Sequence, residues 1–243
     1  MKKTVIAFLL IMALLCAGCG SSAAQPTETP APTETPAATE SPAETEATAD
    51  ESGDSVELEP MASYIANQAT VTDVVEEFIQ TTTDVNDAEN YENTINFVPT
   101  QDTLVFDAQG NQLSVSDIEA GDLITVYTGA YTPAPLIMPP QYQAEIIIIE
   151  DPEAESPVFT CADTFVADEE GLLTGLGNTL ALNMSDEVEI VDRNGQPCEA
   201  ELANMDLLVF YAESTKSVPA QTTPLKVVVL GSNEQALANI DAQ

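Results

Sequence analysis

Cys161 and Cys198 are the side chains of this sequence best suited to covalent or metal chemistry, and little accompanies them. The chain contains no His and no Trp, and beyond Lys3 its only cationic side chains are Arg193, Lys216 and Lys226. Absence of His removes both the commonest general base and the commonest transition-metal ligand. In an exported chain the two thiols could join in a disulfide. Closing a loop of about 37 residues in this way would stabilise the fold by roughly a few kcal/mol. A pair of buried thiols is an equally open reading. Metal ligation is the third, although two thiols without His make an incomplete zinc set.

Carboxylates are abundant, with 41 Asp and Glu against 5 Lys and Arg, for a formal charge of −36. Oxygen-rich stretches at Asp84-Val-Asn86-Asp87-Ala-Glu89, Asp168-Glu169-Glu170 and Asp186-Glu187 invite a calcium reading. None has the alternating Asp/Asn spacing with a central Gly and a later Glu that builds an EF-type loop. Paired carboxylates can hydrolyse sugars, but that work needs a cleft with aromatic platforms, and aromatic residues make up 5% of the chain. The expectation is a non-enzyme without cofactor or metal. Nucleic acid and anionic membrane surfaces are repelled at long range by such a charge. A soluble, acid-tolerant surface or a basic partner accounts for it instead.

The segment Tyr131-Thr-Pro-Ala-Pro-Leu136-Ile137-Met138-Pro139-Pro140-Gln-Tyr142 is the candidate contact surface. It is apolar, flanked by tyrosines and stiffened by proline, which lowers the entropy cost of binding. The other reading is a cap folded over the end of a barrel.

These residues sit within a clear order of segments. Residues 1–18 read as a bacterial export signal: Met-Lys-Lys, then an apolar run too short to span a membrane stably. Leu15-Cys16-Ala17-Gly18-Cys19 resembles a lipobox, with Cys16 where Leu is usual. That resemblance implies diacylation of Cys19, and two acyl chains suffice for stable anchoring. Residues 19–60 read as a disordered acidic tether rich in Pro, Thr and Glu, with PTETP at 26–30 and 32–36. In polyproline-type geometry its reach is on the order of 100 Å.

Beyond the tether the chain repeats itself. NTINFVPTQDTLVFDAQGNQLSVSDIEAGDLITVYTG in residues 61–150 returns as NTLALNMSDEVEIVDRNGQPCEAELANMDLLVFYAES in residues 158–231. A charged connector, 151–157, separates the copies, and 232–243 is a polar tail. Period-2 alternation predicts strands at 69–80, 93–98, 103–106, 122–128 and 144–149. The second copy should carry them at 159–166, 179–184, 188–191, 207–211 and 225–230. Asp107–Asn111 and Asp192–Gly195 read as turns. A capping box of Ser116 with Glu119 predicts a short helical turn ended by Gly121; Asn204 substitutes for that Gly in the second copy. Asp122/Asp206, Leu123/Leu207 and Tyr127/Tyr211 align as equivalents.

Five strands with a helical turn between third and fourth is the order of an OB-type barrel. The expected fold is therefore all-β: two tandem small five-stranded OB-like barrels, with small β-sandwiches as the alternative. The string from Asp107 to Tyr127, followed by Pro139-Pro140-Gln141 and Ala144, is similar to small β-modules of exported proteins of Firmicutes. The resemblance implies an OB-like fold in a surface or wall setting and carries no activity. The expected protein is a non-catalytic lipoprotein on the extracellular face of the cell membrane, anchored through Cys19. Its two modules would serve binding or assembly with an envelope protein or wall polymer. A calcium-dependent wall-structure protein and an accessory or inhibitor domain for an envelope enzyme are the alternatives.

Overall fold

The computed structural model describes residues 61–234, 237 and 238. The expected export signal, the expected lipidation site Cys19, the expected tether and most of the tail lie outside the described residues. No helix among the described residues is long and apolar enough to cross a membrane.

The protein is all-β, and among the described residues helix is confined to short 3₁₀ turns and a trace at the tail. The first sheet comprises β1 (Tyr64–Val74), β2 (Ile79–Thr82), β3 (Thr94–Asp107), the short β4 (Gln112–Leu113), β5 (Leu123–Gly129) and β6 (Gln141–Ile149). β1 pairs antiparallel with β2 and β5, β2 with β3 and β5 with β6, while β3 and β6 run parallel. The pairing of β2 with β3 closes a five-strand barrel. Strands β1, β2 and β3 are therefore followed around the ring by β6 and then β5.

Five strands were expected in this half, but the division is different. The predicted strand 69–80 is two strands, because the chain turns at 75–78 with Val75 N–H donating to the Phe78 carbonyl. Residues 93–98 and 103–106 instead form one long strand. The register along β3 and β6 shifts between Pro99 and Leu104, where proline offers no ladder donor. Thr103 repairs the break: its hydroxyl donates to the Ala144 carbonyl at 2.7 Å and accepts the Thr100 N–H at 2.7 Å. The helical turn also lies two residues earlier than predicted. Ser114, not Ser116, is the N-cap, boxed with Asp117, whose carboxyl is held below the usual carboxylate range by hydrogen bonds from Ser114. This placement lets Ile118 leave the turn and bury itself in the barrel.

The second sheet contains β7 (Phe159–Ala167), β8 (Leu173–Gly175), β9 (Leu180–Leu182), β10 (Glu189–Asp192), β11 (Met205–Tyr211), β12 (Ala220–Thr222) and β13 (Lys226–Gly231). Its order is β10-β13-β11-β7-β8-β9-β12; β8 and β12 were not expected. The registers repeat those of the first sheet. Asn96 faces Gln141 as Ala181 faces Gln221, and Leu104 faces Ile146 as Glu189 faces Lys226. Met138-Pro139 and Val218-Pro219 are both cis. Across β11 the alignment read from sequence slips by one residue: Ile124 corresponds to Leu207 and Tyr127 to Phe210, since Ile149 faces Ile124 and Val229 faces Leu207. Asn204, with φ of 62°, stands in for Gly121, at 103°. Such a slip matters because it exchanges the inward and outward faces of a strand.

Three apolar cores follow from this arrangement. The barrel interior holds Val71, Ile79, Phe97, Ile124, Val126 and Ile147. The second sheet encloses Phe165, Leu182, Leu207, Val209 and Val227. The third core joins the outer faces of the two sheets, and its members are repeat equivalents: Phe106 with Val191, Tyr127 with Phe210, Ile148 with Val228. Phe106 and Phe210 meet edge to face with centroids 5.9 Å apart. Gly110 lies over this seam with φ of 78°, where a Cβ would come within 3.1 Å of Lys226 Cδ and 3.3 Å of Phe210 Cε2. Its equivalent Gly195, φ 74°, would meet Gln112 at 3.5 Å, an ordinary contact. Gly110→Ala should therefore cost about 2 kcal/mol and Gly195→Ala about 1 kcal/mol, the difference being steric. Urea midpoints of the two variants measure it, and equal losses would refute the close approach.

Candidate functional site

The predicted contact segment divides into a base and a tip. Gly129 ends β5, and Thr132 N–H returns to its carbonyl at 3.1 Å. Thr132 Oγ1 donates to Glu145 Oε1 at 3.2 Å, and Pro140 O accepts from Asn96 N–H at 2.9 Å. Tyr131, Pro139, Pro140 and Tyr142 are half-buried in this base, with Tyr142 packed on the barrel core. The tip does not cap the barrel. Leu136 is fully exposed, with Ile137 at 45% and Met138 at 65% exposure. A hollow of about 150 Å³ beside the loop is walled by Ile65, Asn67, Pro133, Ala134 and Tyr142. The corresponding loop of the second half is polar and tied to itself: Thr215 and Ser217 hydroxyls lie 2.7 Å apart, and Thr215 Oγ1 accepts Gln221 N–H at 2.8 Å. Val218 is its exposed apolar residue.

Cys161 and Cys198 are free thiols, both half-buried against the second core. Burial, followed by the nearby Asp163 carboxylate, pushes the Cys161 thiol up to about 12, so it stays protonated and weakly nucleophilic at neutral pH. In two of the acidic stretches carboxylates serve as local caps. Asp84 Oδ1 accepts Asn86 N–H at 2.9 Å and Asp87 Oδ2 accepts from Asn90 Nδ2 at 3.0 Å; Asp168 Oδ1 accepts Glu170 and Leu172 N–H, each at 2.9 Å. Among the described residues no three Cys, Asp or Glu side chains converge as a metal set.

A buried polar clasp joins the two halves, and the sequence reading did not single it out. Asp163, 1% exposed, accepts Ser63 N–H at 2.8 Å, Thr164 N–H at 2.9 Å and Gly177 N–H at 2.8 Å. Burial, with the Asp206 charge adding to it, holds its pKa above the ordinary carboxylate range despite the three donors. Thr164 Oγ1 donates to Asp206 Oδ1, and Tyr64 OH donates to Asp206 Oδ2 at 2.8 Å. With the Thr164 proton so committed, Ser63 donates to Thr164 across 2.5 Å. Gly177 is required for the passage of this strap, because a Cβ there would lie 2.8 Å from Ala62 Cβ. Every carboxylate oxygen of the clasp is engaged by at least one donor, which fixes both carboxylates and ties the two halves together. One signal was available in the sequence: Asp163 stands in the inward register between Cys161 and Phe165.

Two clefts open where the sheets meet. The larger, about 480 Å³, is bordered by Gln68, Thr125, Glu150, Asp151, Phe159 and Tyr211, with the 151–157 connector and Val158 as one wall. The smaller, about 400 Å³, presents Tyr64, Glu145, Arg193 and Asp206. Arg193 Nη2 donates to the Asp102 carbonyl at 3.2 Å, and Gln112 Nε2 to the Arg193 carbonyl at 3.4 Å, so the turn around Arg193 also bridges the halves. No family model, curated protein or solved structure matches the chain.

Proposed function

We propose that the chain is a non-catalytic envelope lipoprotein, held to the extracellular face of the membrane through Cys19, and that the tip of the 131–142 loop is its partner surface. The observation carrying this reading is the exposure of Leu136, Ile137 and Met138 on a loop whose base is fixed to the closed barrel. Exposing three adjacent apolar side chains is unfavourable for an isolated molecule, and a stiff apolar projection gains by being covered. The partner is an envelope protein or a wall polymer. In the same reading the second half is the first barrel with two strands interrupted. β9 and β10 correspond to the two parts of β3, and β12 and β13 to those of β6. Asn-Met-Ser-Asp-Glu-Val at 183–188 fills the first interruption.

The test combines anchoring and capture. Cys19→Ser should release the intact chain from the membrane fraction to the soluble one. Leu136→Ser with Met138→Ser should leave stability within about 0.5 kcal/mol, as for exposed positions, while reducing capture of envelope material at least tenfold. Equal partition of wild type and Cys19→Ser removes the anchor, and unchanged capture by the serine variant removes the loop.

A further inference from the structure

The hollow beside the 131–142 loop is the end of the first barrel's interior. Strand alternation puts its lining on the inward face. Ile65 and Asn67 precede Ala69 and Val71 in the inward register of β1, Thr128 follows Ile124 and Val126 on β5, and Tyr142 precedes Ala144 on β6. Pro133 and Ala134 of the loop form the remaining wall. Two residues further on, Leu136 is fully exposed and does not enter the hollow, and Ile65 at its rim is 51% exposed. The hollow measures about 150 Å³, a volume that takes a guest of about six carbons, the size of one aliphatic side chain. An apolar projection and a recess of matching size therefore lie side by side.

Charge indicates what covers them. The chain from Leu123 to Ala144 carries no Asp, Glu, Lys or Arg, and neither do the walls of the hollow. Both clefts between the sheets present carboxylates, Glu150 and Asp151 in one and Glu145 and Asp206 in the other. In a molecule of formal charge −36, two copies repel wherever such groups would face each other. At the barrel end they can meet without opposing carboxylates, while a basic partner finds none there to pair with. A surface bearing both a projection and the recess for it is self-complementary under a twofold rotation, the condition for a closed isologous dimer. The fold does not require the projection, because the corresponding loop of the second half has a polar tip bonded to itself.

We propose that two copies pair through their first barrels about a twofold axis, Leu136 of each seated in the barrel end of the other, with Ile137 and Met138 covered in the same contact. This rests on the reading of the loop tip as the partner surface and identifies the partner as a second copy of the chain. A contact made by one loop and one hollow falls short of the roughly 1,000 Å² of stable complexes, so pairing is weak in solution. Copies held in one membrane through Cys19 would meet at a higher effective concentration.

Sedimentation equilibrium of the full chain carrying Cys19→Ser, under reducing conditions so that no disulfide links copies, provides the test. It should show a monomer–dimer equilibrium that stops at the dimer, with a dissociation constant on the order of 10–100 µM. Because the contact is charge-free and the remaining surfaces repel, raising salt from about 20 mM to about 500 mM should tighten it severalfold. Leu136→Ser removes the projection, and Ile65→Glu places a carboxylate at the recess. Each alone should weaken pairing about tenfold or more. Mixing the two variants should restore dimers, since the mixed pair keeps one intact Leu136 and one intact recess. Both positions are exposed, so the circular dichroism of the variants should match that of the parent. Should Ile65→Glu not fold, Leu136→Ser and the salt response still decide the matter. A parent chain monomeric at about 1 mM overturns the proposal, as does association that continues past the dimer, that Leu136→Ser leaves unchanged, or that mixing fails to restore. Leu136-dependent binding of a monomeric chain to phosphatidylcholine vesicles would assign the tip to a lipid surface instead. If the chain stays monomeric while Leu136→Ser with Met138→Ser still reduces capture of envelope material, this inference falls and the loop remains a partner surface. Unchanged capture by a monomeric chain removes both.

Discussion

Phe210→Ala is expected to lower stability by about 3–5 kcal/mol, the range for emptying a buried phenylalanine site. Phe210 is 1% exposed in the core between the sheets, against Phe106 and beneath Gly110. The neighbouring backbone is strand ladder on both sides and cannot collapse readily into the void. A domain of this size holds about 5–15 kcal/mol in all, so the loss would shift its melting temperature by about 10 °C. The more specific expectation concerns cooperativity. Because Phe106, Tyr127 and Ile148 of one repeat share this core with Val191, Phe210 and Val228 of the other, both halves should lose stability together. Urea unfolding read by circular dichroism, with amide exchange resolved by strand, measures this. A separate transition for the second sheet, with the first barrel unaffected, would show that the seam is not a common core.

Asp163→Ala is expected to cost about 3 kcal/mol or more, since it leaves the N–H groups of Ser63, Thr164 and Gly177 without their acceptor, at about 1–3 kcal/mol for a buried unpaired donor. Asp163→Asn should cost less, because one amide oxygen still accepts. The pH dependence has a definite sign. Burial raises the folded-state pKa of Asp163 above that of the unfolded chain, so folding favours its protonated form. The corresponding stability is fully present below the ordinary carboxylate pKa and is lost as pH rises through the raised folded value. The stability of wild type relative to Asp163→Asn should therefore increase as pH falls from neutral toward about 4. Urea titrations of both proteins across that range provide the measurement. A difference that shrinks on acidification would mean that the three donors outweigh burial and that the pKa is depressed instead.

Much of the fold was legible because its signals are local. Alternation marked Leu123–Gly129 and the apolar run ending at Ile149 as strands, and Gly110 and Gly195 marked turns whose positive φ the structure contains. The repeat announced strand registers that recur between the sheets, Asn96 facing Gln141 as Ala181 faces Gln221. Local signals also misled where two patterns competed. Val74 and Val75 extend the β-branched character of the first strand, yet the chain turns there so that Ile79 can reach the barrel interior at 0% exposure. Ser114 and Ser116 both satisfy the capping spacing, and the burial of Ile118 chose between them. The identity Tyr127/Tyr211 drew the alignment one residue out of register, because similarity of side chains says nothing about which face they occupy.

For the candidate sites the division is sharper. Composition alone established the acidic surface, the absence of His and the apolar loop, since these need no partner to be read. Only tertiary structure decided that Leu136, Ile137 and Met138 project while Tyr131 and Tyr142 anchor, because exposure depends on what the rest of the chain covers. It likewise brought Ser63 of the first repeat to Asp163 of the second. Cys161 and Cys198, the residues most suggestive in sequence, are half-buried thiols on a core. Chemistry-bearing residue types are written in the chain, but the solvent, charge and neighbours that govern their reactivity come from contacts distant in sequence.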